Sequence, residues 1–170
     1  MKGCFIIKHG LNYKIEMILK INPQELSFLN AEKLCRAAYP NHRKGCPNYH
    51  KKEGCPPNLL SLENVVDFKK DVYLIYTDFD IGKHAERMKE LHSNWTERQL
   101  YCCLYWQPKA RKAQRAEELR CKNEKDISLV LRSPEAHGVN VHSLMKKVGV
   151  NLEWPPRKIT RIVSLGGTKS

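Results

Sequence analysis

A chain of 170 residues with 41% hydrophobic composition is long enough for one compact domain, spanning 1–170, so it needs no metal merely to reach foldable size. No window approaches the ~18 apolar residues of a membrane span, and the run Phe5-Ile6-Ile7 is too short for a signal peptide, so a cytoplasmic protein without membrane attachment is expected. The formal net charge of +12 argues for an acidic partner (nucleic acid, a nucleotide or an acidic redox protein) against the alternative of a solvated basic surface.

In chain order, Phe5-Ile6-Ile7 and residues 13–18 read as two strands around a Gly10-Leu11-Asn12 turn. Asn22-Pro23-Gln24-Glu25 is a helix start: Asn22 caps, Pro23 sits at the first helical position and Glu25 reaches back. That helix is expected to run to residue 38, with Cys35 in its last turn. Residues 39–58 carry Pro40, Pro47, Pro56, Pro57 and two glycines, and read as a long loop. Ser61 is expected to cap a helix to residue 68, and residues 72–76 form a buried strand ending at Thr77-Asp78. Helices are expected over 83–92 and, behind an Asn94-to-Glu97 capping box, over 94–107. Pro108 ends or kinks the second, and a charged helix continues to 122. A strand over 127–131, a short turn opened by Ser133-Pro134-Glu135, a helix over 140–148 and a strand over 158–165 complete an α+β domain, a small sheet with helices packed on it.

The chemistry concentrates in that loop. Cys35, Cys46-Pro47-Asn48-Tyr49 and Cys55-Pro56-Pro57-Asn58 place three thiols around a basic stretch in which five Lys or Arg and no acid fall between Arg36 and Lys52. Seven cysteines in a reducing compartment point to metal, redox chemistry or burial, not to disulfides. Thiolates are soft ligands, and three of them can hold zinc or three irons of a cubane cluster. The prolines remove backbone freedom beside the ligands, which lowers the cost of ordering the loop. The sulfurs are therefore expected to converge on one centre. The bland alternative is three unrelated cysteines; Cys35 alone fits it, while two cysteines in a polar, Pro-rich loop do not.

The loop resembles that of a family of predicted metal-binding proteins of unknown function, whose members carry a Cys, then Cys-Pro-x-Tyr-Gly, then Cys-Pro-Pro. Residues 132–141, Arg-Ser-Pro-Glu-Ala-His-Gly-Val-Asn-Val, followed by Lys146-Lys147-Val148-Gly149, resemble its C-terminal signature. The resemblance implies metal binding. The chain departs from it at His50, which stands where Gly follows the Tyr, and in lacking the ferredoxin-like run of cysteines that longer members carry. Only Cys102, Cys103 and Cys121 lie in that region, at other spacings.

Three thiolates leave one position open. For zinc, His42, His50 or Cys4 would complete a tetrahedron. For a 4Fe–4S cluster, one iron would lack a protein ligand and could bind substrate as a Lewis acid. The cluster is the reading adopted, with zinc as the alternative. It gives a metal protein with an electron-transfer, sulfur-transfer or substrate-binding role. The rivals are a zinc-stabilised module whose basic face binds nucleic acid, and a factor that delivers or assembles a metal or cluster. Elsewhere, Cys102 and Cys103 read as structural and Cys121 as a possible exposed thiol. His84, His92, His137 and His142 read as surface or capping residues. Asp78 and Asp80 read either as ligand-facing carboxylates or as helix caps. Trp106 reads as a core anchor in preference to a base-stacking platform.

Overall fold

The protein is described by a computed structural model covering residues 17–38 and 42–170. The expected Phe5-Ile6-Ile7 strand and Cys4 lie outside the described residues. Four strands form one antiparallel sheet in the order β1-β2-β4-β3: β1 (Met17–Ile21), β2 (Val72–Asp80), β3 (Leu129–Leu131) and β4 (Ile159–Gly167). The helices are α1 (Ala31–Arg36), α2 (Ile81–Leu91), α3 (Glu97–Leu100), α4 (Cys103–Glu124) and α5 (Val141–Lys147). Mixed helix and antiparallel sheet make this the α+β fold that the periodicity predicts.

The centre of β2 is buried on both faces, which its unbroken apolar run anticipates. Val72, Leu74 and Tyr76 pack with Leu62, Leu131, Val139 and Met145 on one side. Ile75 meets Cys121 of α4 and Ile127 on the other. The approach there is close: a Cβ on Gly166 would lie 2.7 Å from the end of the Ile127 side chain, which would have to shift. Cys121 is 0% exposed. It is a core residue and not the exposed thiol that its charged helix suggested. His84 is buried too, against the surface role expected of it. Trp106 stacks on Phe79 at 5.7 Å and anchors α4 as anticipated.

Alpha4 also carries a polar seam onto the sheet. Gln114 donates to the Ile75 carbonyl (2.9 Å) and to Ser164 Oγ (3.1 Å), and accepts from Thr77 (2.9 Å). Glu118 accepts from Ser164 (2.7 Å) and from Arg132 (2.8 Å). Buried polar groups persist only with such partners.

Three boundaries depart from expectation. The helix predicted over 22–38 is a single 3-10 turn (Pro23–Glu25), then extended chain, then α1, itself capped by Asn30. Asn22 does accept from the Gln24 amide, so the capping signal is real, but tertiary pairing ends the turn. Phe28 bridges Val139, the Leu29 amide donates to Gly138 O (2.7 Å) and the Asn140 amide donates to Ser27 O (2.8 Å). The helix predicted over 61–68 is also one 3-10 turn, Leu62–Asn64, because Val66 bridges Lys169 and the Asp67 amide donates to Thr168 O. The helix expected over 94–107 starts behind Thr96, whose amide donates to Gln99, and breaks at Tyr101-Cys102; α4 then runs through Pro108. Asp80 proves to be a cap, accepting from the Lys83 amide, and Asp78 pairs with Arg161 at 3.0 Å.

Candidate metal centre

The site begins where α1 ends. Asn30 caps this one-and-a-half-turn helix by accepting from the Lys33 amide (2.8 Å), which places Cys35 in its last turn, as the sequence predicts for a longer helix. The chain then returns onto that end. Gly45 adopts a left-handed φ of +80°, and the Cys46 amide donates to Cys35 O at 2.7 Å. A Cβ at Gly45 would stand 2.5 Å from Cys35 O and 2.8 Å from Arg36 O, so only glycine allows the two cysteine backbones to meet.

Beyond Cys46 the loop is a succession of tight turns. The Tyr49 amide donates to Cys46 O, the Lys51 amide to Asn48 O and the Cys55 amide to Lys52 O. His50 stands at φ 59° and donates its amide to Pro56 O (3.2 Å), which folds the Cys55-Pro56 arm back beside Tyr49. A left-handed residue is what a family glycine at this position would supply, so His50 keeps the conformation without the glycine. The Tyr49 hydroxyl donates to Glu32 of α1 at 2.6 Å and closes the assembly.

Cys35, Cys46 and Cys55 are free and half-buried. Burial pushes the Cys35 thiol pKa up, and negative charge on Cys46, Cys55 and Glu135 pushes it further. All three groups therefore lie within electrostatic reach of Cys35. The loop brings the thiols into one neighbourhood without closing a cage: among the described residues, no three His, Cys, Asp or Glu side chains are grouped as a ready-made ion site. The donors nevertheless suit a metal, because they are soft sulfur, partly desolvated, and carried on backbone pinned at Gly45, Tyr49 and His50. His42 and His50 are exposed on the same loop.

Sequence reasoning missed Glu135. It sits in the Pro134–His137 turn, against which α1 packs. Its side chain is exposed, and partial desolvation by the neighbouring protein raises its pKa. The same turn holds the far side of the loop, since His137 Nδ1 lies 2.8 Å from Leu60 O. The signal was present in the Arg-Ser-Pro-Glu-Ala stretch, but nothing in its spacing ties it to cysteines 80 to 100 residues earlier. Cys102 is half-buried at the start of α4, Cys103 is exposed and Cys121 lies in the core.

The family model described as "Predicted metal-binding protein (DUF2284)" matches residues 37–166, well over half of the chain. The chain belongs to the DUF2284 family. In this DUF2284 protein the matched span takes in Cys46, Cys55 and the Arg132-to-Val141 stretch, and it begins just after Cys35. No curated protein and no solved structure matches the chain. Membership supports metal binding and leaves the identity of the metal to chemistry. No helix among the described residues is long and apolar enough to cross a membrane.

Proposed function

We propose that this DUF2284 protein holds a 4Fe–4S cluster through Cys35, Cys46 and Cys55, leaving one position for a substrate atom. The observation that carries the reading is the Cys46 amide on Cys35 O across Gly45, with the Cys55-Pro56 arm folded back onto the same loop by the His50 amide on Pro56 O. When bound, such a cluster supplies a Lewis-acidic iron or a one-electron carrier. The protein's own contribution is to desolvate the thiols, to keep the loop compact through Tyr49–Glu32, and to present Glu135 beside Cys35. The unpaired state of the six described cysteines suits a reducing, cytoplasmic setting.

Anaerobic purification with iron, zinc and acid-labile sulfide analysis tests the reading. A brown protein with iron and sulfide in equal amounts supports it. A colourless protein with one zinc per chain, and His42 or His50 as fourth ligand, would replace it with the zinc-stabilised module.

A further inference from the structure

A hollow of about 460 Å3 opens beside Cys35 and Cys46, within the size range of small-molecule sites. Arg36, Arg43, Lys44 and Lys51 line it, and no Asp or Glu does. Several cations elsewhere do have counterions: Arg120 pairs with Glu117 and Glu124, Arg132 with Glu118, Arg157 with Glu97 and Arg161 with Asp78. No described acid forms an ion pair with any of the four around the hollow. Like charges gathered at a concave surface focus a positive potential and raise the local concentration of anions. Arginine forks match phosphate and carboxylate geometry in particular.

We propose that this hollow binds a small ligand bearing an oxyanion, phosphate or carboxylate, seated on Arg36, Arg43, Lys44 and Lys51 with its other end towards Cys35 and Cys46. The proposal rests on the metal-centre reading and names its substrate class. The arrangement divides the labour. The cations supply affinity and orientation remote from the reacting end, and the thiol-held centre meets the uncharged or weakly charged end. The hollow lies between Cys35-Arg36 at the end of α1 and the Gly45 turn, and its volume suits a compact ligand better than a polymer that would need a continuous basic track.

The test is calorimetric titration of the anaerobically purified full chain at low salt, using pyrophosphate and citrate as separate probes, with iron and sulfide measured on the same samples. We expect one-to-one binding of at least one probe that weakens as salt is added. The probe that binds distinguishes a phosphate from a carboxylate ligand. Binding should fall about tenfold or more in the Arg43→Ala/Lys44→Ala double variant, and again in Lys51→Ala, with metal content unchanged. Both sites are exposed, so neither variant should disturb folding. Failure of both probes to bind at millimolar concentration, or equal binding by the variants, would overturn the proposal. Tight binding of duplex RNA by a protein that ignores pyrophosphate and citrate would overturn it in favour of a nucleic-acid surface. Absence of metal alongside normal anion titration would sink the metal-centre reading and leave the anion site standing.

Discussion

The amide of Cys46 and the carbonyl of Cys35 meet at 2.7 Å, and the residue between them in the turn, Gly45, has backbone atoms of Cys35 and Arg36 where a side chain would stand. The approach of the backbones of two of the three proposed ligands is therefore set by main-chain contacts.

Gly45→Ala should separate the two backbones. The left-handed conformation alone costs about 1–2 kcal/mol for a residue with a Cβ, and the overlap with Cys35 O adds to it. We expect metal content to fall sharply while the melting transition of the sheet, followed by circular dichroism, shifts little. Full metal retention would show that the turn does not set the ligand spacing.

His50→Gly should do the opposite. It relieves the φ 59° strain and keeps the amide bond to Pro56 O, for a net gain of up to about 1 kcal/mol after the extra chain entropy of glycine is counted. Metal content should be unchanged. Loss of metal would identify the His50 ring as a ligand.

Cys46→Ser and Cys121→Ser should separate the two classes of cysteine. Cys46→Ser is expected to abolish metal binding and loosen the loop while the sheet still melts cooperatively, because the core lies elsewhere. Cys121→Ser puts a hydroxyl into a fully buried apolar contact with Ile75 and Ile127, and should cost about 1–3 kcal/mol with metal retained. Global unfolding of Cys46→Ser would make the metal a structural one.

His84 gives a pH dependence. Burial lowers its pKa below the ordinary imidazole value of 6.5, and Arg87 and Lys109 lower it further, so the folded protein disfavours its protonation. The unfolded chain binds the extra proton first as pH falls, so this contribution to stability is present above 6.5 and lost on acidification below it. Urea midpoints between pH about 7.5 and about 5.5 should fall with acid in the native sequence and less steeply in His84→Gln. Equal slopes would place the titration elsewhere.

The sequence disclosed the parts of this architecture that depend on local chemistry. Asp80 and Asn140 each cap a helix, the apolar run at 72–76 is a central strand, and the Pro-rich loop with its cysteines follows a helix end. What it concealed is long-range. Residues 26–30 read as helix because Asn22, Pro23 and Glu25 are sound capping chemistry, yet their backbone is claimed by Gly138 and Asn140. The surroundings of Glu135 were hidden for the same reason: the pairing of Phe28 with Val139, with the Leu29 amide on Gly138 O and the Asn140 amide on Ser27 O, brings that turn against α1.

That pairing also imposes an order of events during synthesis. Cys55 leaves the ribosome about 80 residues ahead of the Pro134–His137 turn, an interval of about 4 to 16 seconds at roughly 5–20 residues per second. Throughout it the three thiols have neither the wall that carries Glu135 nor the anchor that His137 gives Leu60. The mature geometry around the cysteines thus belongs to the finished chain. A nascent chain stalled short of residue 134 should present its cysteines to alkylating reagents as three open, unordered thiols.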